Sequence, residues 1–365
     1  MKSILLSILL ITAFNLAYAT VLIVDQNGNA PSGTFSSFTI AHNTANTGDT
    51  ILVIPSSSSY GSLTISKGIT VIGPGFNPQS TNGQTAKVSD IRLNTGANGC
   101  KIIGLEIPLF YLGYSASSLN NIVIENNLIG YLTNNSISSL SNVFIRQNVF
   151  NTGTTGASSI TLTVSTQNNI TVSNNVFARG DNGTHASIYS TTGGLLIEHN
   201  LFLGTGASNS KVFRELNNSE VRNNIFYGRN PVSTSLTNVQ LFNNLTFGSS
   251  TTDLGDDNGS GIGNLGFGMN VTGDNNISND DPEFEGTITI NSSLTSWDFT
   301  YDATLGTNSP ALGVAKDGSS DLGIYGGSSP FKNTGSVVPM VQTLDLPTTI
   351  QQGTNTSADI VVSGN

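Results

Sequence analysis

The side chains able to do chemistry in this chain are few, and they fall into two groups. The first is mixed. Arg179, Asp181 and His185 stand close together, Lys211, Arg214 and Glu215 follow some thirty residues later, and Arg229 comes after them. Cations beside a carboxylate and an imidazole can hold an anionic ligand, while the carboxylate or imidazole can take up a proton. The second group is acidic: Asp253, Asp256, Asp257 and Asp274, then Asp280, Asp281 and Glu283. Loops dense in carboxylates can hold calcium, although the D-x-x-D-D-N-G spacing is not an EF-hand loop and calcium-binding GGxGxD repeats are missing. The chain has no GxxxxGK[ST], HExxH, GxSxG or CxxC motif. Three histidines are too few for a convincing metal centre.

What would position these residues is a repeat. NNIVIENNLIG at 120–130, SNVFIRQNVF at 141–150, NNITVSNNVF at 168–177, GGLLIEHNLF at 193–202, NSEVRNNIF at 218–226 and TNVQLFNNLTF at 237–247 share one pattern. Apolar residues alternate, an Asn follows, and another apolar residue comes next. The aligned asparagines are Asn127, Asn148, Asn175, Asn200, Asn224 and Asn244, spaced 21, 27, 25, 24 and 20 residues apart. Leucine-rich repeats have a similar period, but here Ile, Val and Phe at period two favour strands, and Gly, Asn, Ser and Thr clusters mark bends between them. Three short strands with turns use up one period. The expected fold class is therefore all-β: a right-handed, single-stranded parallel β-helix. Each coil adds about 4.8 Å, so roughly ten coils make a rod of order 50 Å.

In such a rod Ile122, Ile124, Val143, Ile145, Ile170, Val172, Leu195 and Ile197 stack inside, and Phe150, Phe177, Phe202 and Phe226 form a second column. The asparagines mark a turn and stack as an amide ladder, since Asn bonds nearby backbone groups and tolerates left-handed angles. Glu125 and Glu198 are three coils apart, roughly 15 Å, too far for paired catalytic carboxylates. Arg179, Asp181, His185, Lys211, Arg214 and Arg229 can converge on one edge within two coils. Tyr111, Tyr114, Tyr131, Tyr189 and Tyr227 offer ring faces on which a flat or ring-shaped ligand can stack.

The ends read differently. Lys2, the apolar run 4–16 and Ala17-Tyr18-Ala19 have the form of a signal peptide over 1–19. The β-helix is expected over 20–327. A short capping helix carries Phe35, Phe38, Ala41 and Ala45 near helical spacing, with His42 on its polar side. TITIN at 287–291 reads as a strand, 328–339 as a linker, and 340–365 as a β tail or the start of an Ig-like or sorting module. Only 10% of residues are charged and net charge is −10, so nucleic acid and anionic membranes are poor partners. No second stretch can span a bilayer as a helix. Cys100, the only cysteine, excludes an intrachain disulfide and reads as a buried thiol.

These patterns resemble the secreted right-handed β-helix proteins of the pectin-lyase-like superfamily. GTFSSFTIAHNTANTGDTILV at 33–53 and ITVIGPG at 69–75 resemble the family's entry segment, with Gly48, Asp49, Gly73 and Gly75 matching. DPEF at 281–284, SPALG at 309–313 and SDLGIYGG at 320–327 resemble a closing pattern, with Pro282, Pro310, Asp321, Gly323 and Gly326 matching. The last thirty residues resemble tails of Bacteroidetes surface proteins. The resemblance implies a secreted or bacterial cell-surface protein acting on, or binding, polysaccharide. Lyases of this family pair calcium, held by carboxylates, with an Arg or Lys base. Its hydrolases cluster Asp residues on adjacent strands. Neither cluster is visible at coil spacing. The expectation is a monomeric, non-catalytic glycan-binding or scaffold rod, with a polysaccharide lyase or hydrolase as the alternative. Calcium is the one cofactor in view, with Asp253, Asp256, Asp257, Asp280 and Asp281 as its candidate ligands.

Overall fold

In the computed structural model each alternating segment is a strand, and strands from successive coils pair in parallel. Residues 19–333 are described, apart from 29–30, 82, 154–156, 180–185, 207–210, 232–235, 249–253, 255–262 and 265–267. The backbone of 340–345 and 359–363 is described as well. The signal-peptide reading of 1–19 falls almost wholly outside these residues.

The coils form a right-handed parallel β-helix with three faces. The first face begins with Val21–Val24, Thr50–Val53, Thr70–Ile72 and Lys101–Ile103. It continues through Ser118–Glu125, Ser139–Arg146, Thr166–Ser173, Leu195–Glu198, Asn217–Arg222 and Leu236–Phe242 to Thr272–Asp274. The second face holds Val149–Gly153, Val176–Arg179, Leu201–Leu203, Ile225–Tyr227 and Leu245–Phe247. The third holds Ser62–Ile65, Asp90–Asn94, Ile160–Leu162, Ile188–Ser190 and Phe213–Arg214. Two long strands, Glu106–Ser115 and Leu128–Thr133, run across both. The latter pairs with Val149–Gly153 at its start and Ile160–Leu162 at its end.

Register makes one core from many short strands. Ile124, Ile145, Val172, Ile197, Val221 and Leu241 are consecutive partners on the first face, each fully buried. Phe150, Phe177, Phe202 and Phe226 stack on the second, with ring centroids 4.8, 4.8 and 5.1 Å apart and planes within 12° of parallel. That is the inter-strand spacing, so the rings repeat because the backbone does.

The expected asparagines form the ladder. Each Nδ2 from Asn127 to Asn244 donates to the next Oδ1 at 2.9–3.1 Å. Asn276 extends the series by one rung. Sequence reading missed it because the interval is 32 residues and because Gly273 occupies an inward position, where a Cβ would meet the Leu254 carbonyl. The left-handed residue is not the ladder asparagine but the one before it: Asn126, Gln147, Asn174, His199, Asn223, Asn243 and Asn275 have φ between 50 and 58°. The ladder side chain bonds inward while its predecessor makes the bend.

At the N-terminal end the helix Phe38–Thr44 buries Phe38 and Ala41, with Ala45 just after it. Lys67 donates to the carbonyls of His42, Asn43 and Ala45, where a cation suits a helix C-terminus. His42 is not a surface residue as expected: it is buried, and its Nε2 accepts the Ser66 N–H at 3.1 Å. Burial, then Lys67, lowers its pKa. Cys100 is buried, which pushes its thiol up to about 12.

The C-terminal segment does not end the rod as one more coil. It doubles back over the second face. Val149, Val176, Leu201, Leu203, Ile225 and Leu245 point away from the interior and pack against Ile288, Leu294, Trp297, Leu322, Ile324 and Phe331 in a second core. Strands buried on both sides explain the unbroken apolar runs LFL and IFY. Residues 287–290, expected as a strand, are irregular and pack as cover. Two bend residues tie the segment down, Asn174 donating to the Ile324 and Gly326 carbonyls and Gln147 to those of Ser329 and Pro330, and nearer the N-terminal end Asn77 donates to the carbonyl of Asn333. The first residues of the stretch read as a linker therefore lie on the rod. Farther on, Met340–Asp345 and Asp359–Ser363 pair antiparallel. No described helix is long and apolar enough to cross a membrane.

Candidate functional site

The third face presents a continuous outward column. Thr64, Arg92, Tyr111, Thr133, Thr161, Tyr189 and Arg214 are register partners in turn, one per coil. Beneath them Leu63, Ile91, Phe110, Leu132, Ile160, Ile188 and Phe213 are fully buried. The alternation of a strand puts one set inside and the other outside. Among the described residues, no part of the second core covers this column.

Two tyrosine–arginine stacks bracket the threonines. Arg92 lies 4.7 Å from the Tyr114 ring centroid and 5.9 Å from that of Tyr111, and its Nε is 2.7 Å from Asp90. Ser62 donates to the same carboxylate at 2.6 Å. At the other end Arg214 lies 4.8 Å from the Tyr189 centroid and 3.6 Å from the Glu215 carboxylate, which accepts the Tyr189 hydroxyl at 3.2 Å. Partial burial, followed by the Glu215 charge, raises the Tyr189 pKa, so its hydroxyl stays protonated and donating. From Arg92 to Arg214 is five inter-strand steps, about 24 Å. The column offers ring faces, cations and hydroxyls at one-coil intervals.

The residues anticipated from sequence are dispersed around this column. Arg214 lies on it. Lys211 sits at the preceding turn, where its carbonyl accepts Arg229 Nη2 at 2.6 Å. Arg229 is buried, 1% exposed, with Ser187 also in contact, so its guanidinium ties turns together below the surface. Arg179 ends a second-face strand, and Asp181 and His185 lie outside the described residues. So do Asp253, Asp256 and Asp257. Asp280 and Asp281 are exposed, and Asp281 accepts the Glu283 N–H in a local turn. Among the described residues no group of three or more His, Cys, Asp and Glu converges as a metal would require.

Of the five tyrosines, Tyr111 and Tyr189 are on the column and Tyr114 stacks with Arg92. Tyr131 lies around the corner, at a depression. Tyr227 is buried, its hydroxyl donating to the Ile288 carbonyl at 2.6 Å, so it cannot stack on a ligand. On the first face, Glu125 pairs with Arg146 at 2.7 Å, Glu198 with Arg222 at 2.8 Å, and Glu220 with Arg222 and Lys316. These carboxylates hold neighbouring coils together instead of meeting each other. Arg92, Thr133 and Thr161 escaped sequence reading. Third-face strands are only two to five residues long and are separated by turns of unequal length, so their mutual register has no visible period.

No family model matches the chain, and no curated protein matches it. Among solved structures it is similar to the crystal structure of pectate lyase Pel9A. The two are 15% identical, the match covers 85% of this chain and 96% of that one, and the TM-score is 0.41. Likeness of that degree transfers no residue role. What the chain's own strand pairing establishes is a right-handed parallel β-solenoid, an architecture that by itself assigns no activity.

Proposed function

We propose that this protein is an extracellular glycan-binding rod that holds a polysaccharide along its third face. The observation that carries the reading is the column from Arg92 to Arg214. Its two tyrosine–arginine stacks flank a pair of threonines on a sheet face that, among the described residues, the second core leaves open. Aromatic faces suit the apolar sides of sugar rings, hydroxyls suit their rims, and the cations suit carboxylates on an acidic chain. The sparse charge and net −10 make a sugar polymer a better partner than nucleic acid.

One observation favours a second reading, a polysaccharide lyase or hydrolase. Arg214 is exposed beside Tyr189 and Glu215, so a cation, a phenol and a carboxylate meet on the proposed binding face. In a lyase a base would take the proton next to a sugar carboxylate, and the neighbouring cation would stabilise the resulting charge.

The test is a screen of the protein against polyuronates and neutral polysaccharides, with and without calcium. Binding is read by retardation in glycan-containing gels, and cleavage by the ultraviolet absorbance of unsaturated product and by reducing ends. The binding reading predicts retardation without product. Product that disappears in Arg214→Ala or Arg179→Ala overturns it in favour of the enzyme. Calcium dependence of either signal identifies the acidic stretch from Asp253 to Asp281 as its first target for substitution.

A further inference from the structure

A separate depression of about 350 Å³ lies around the corner from the column, where Glu106–Ser115 and Leu128–Thr133 cross from the second face to the third. Its lining includes Glu106, Pro108, Leu128, Gly130, Tyr131 and Asn151. The volume is at the small end for ligand sites, enough for one or two sugar rings.

The depression is built of fixed parts. Its floor is flat at Gly130 because a Cβ there would come within 2.3 Å of the Pro108 carbonyl, so no side chain fits. The Glu106 carboxylate is held from outside: Lys87 lies 2.8 Å from Oε1, and the Thr85 hydroxyl donates to Oε2 at 2.9 Å. A carboxylate has about four acceptor positions, so two remain for a ligand. Asn151 is pinned by the backbone of Trp297, whose N–H donates to its Oδ1 at 2.7 Å. Tyr131 adds an aromatic side chain to the lining. An apolar floor, an aromatic wall and a preorganised acceptor match the apolar face and hydroxyl rim of a pyranose. A uronate would bring its own carboxylate against Glu106, a like-charge contact that opposes binding.

We infer that this depression is a second carbohydrate subsite, taking a single neutral pyranose unit. It rests on the glycan-binding reading only in taking sugar as the ligand class. Tyr131 is two positions before Thr133 in the same strand, so a neutral branch can occupy it while the main chain lies on the column.

The experiment is saturation-transfer NMR of the intact protein with the methyl glycosides of glucose, galactose and mannose, and with methyl glucuronide. At least one neutral glycoside should bind saturably. Tyr131→Ala should weaken it about tenfold, Glu106→Gln should weaken it severalfold, and Ile40→Ser, on the exposed side of the capping helix, should leave it unchanged. Circular dichroism establishes folding. If Tyr131→Ala does not fold, the Glu106→Gln result decides. Absence of saturable binding by all three neutral glycosides overturns the inference. So does binding that survives both substitutions, or a preference for the glucuronide. Loss of polymer binding in Tyr189→Ala with glycoside binding intact supports the column and leaves this subsite standing. Glycoside binding with no polymer binding in the wild-type protein removes the column reading alone.

Discussion

At Asn175 one side chain serves three coils. Its Oδ1 accepts from the N–H and Nδ2 of Asn148, and its Nδ2 donates to the Ile145 carbonyl and to Asn200 Oδ1, all in a fully buried site. Removing it strands partners on both sides, at 1–3 kcal/mol for each buried unsatisfied group. Asn175→Ala should therefore cost at least about 3 kcal/mol in urea unfolding. Asn142, in the exposed amide row with Asn121 and Asn169, has φ of 51° and is a milder case. Asn142→Gly should stay within about 0.5 kcal/mol. Equal losses at the two sites would contradict the assignment of the buried ladder as the load-carrying one. His199 holds the same bend position as Asn174 and Asn223 but can titrate. Its Nε2 is 3.0 Å from Asn223 Nδ2, while Asn223 Oδ1 accepts the Lys316 N–H of the covering segment at 2.8 Å. Burial lowers the His199 pKa, Arg222 adds to that, and Glu198 and Asp317 oppose it. A folded-state pKa below the unfolded one means stability present above pH 6.5 and lost as pH falls through the folded value. The protection factors of the Lys316 and Gly323 amides, which allow for the intrinsic slowing of exchange in acid, should fall as the pH drops below 6.5. The change should be largely absent in His199→Asn. Identical profiles in the two proteins would exclude His199 as the cause.

The strands of the second face depend on an element distant in sequence. Their inner column of Phe rings was legible because it repeats. Their outer residues Val176, Leu201, Ile225 and Leu245 were visible as apolar, but nothing local says what buries them. The cover supplies Ile288, Trp297, Ile324 and Phe331 from irregular chain with no period, so no repeat marks what it packs against. That is why TITIN read as a strand and the first residues of the 328–339 stretch as linker. Ending the chain after Phe284 should leave the apolar outer face uncovered, giving strong binding of a hydrophobic dye and aggregation. A soluble, dye-silent truncation would show that the cover is dispensable. Within the interior, Phe177→Ala should cost about 4 kcal/mol, since neighbouring rings fixed at inter-strand spacing cannot collapse into the gap.

For the whole molecule, the repeat dictates the architecture and irregular segments complete it. The coil number, the interior columns and most of the amide ladder follow from residues that return at each turn. The candidate site follows only in part: Tyr111, Tyr189 and Arg214 stood out by type, whereas their alignment with Arg92, Thr133 and Thr161 exists only once the third-face register is known. The central claim is that this register creates one binding surface about 24 Å long. Its most direct test is calorimetric titration with acidic oligosaccharides of increasing length, against the wild-type protein and against Tyr111→Ala/Tyr189→Ala. The account predicts affinity that climbs with length until the ligand spans the column and then levels off, and a double variant that has lost that climb. Affinity independent of length, or a double variant that binds like wild type, would contradict it.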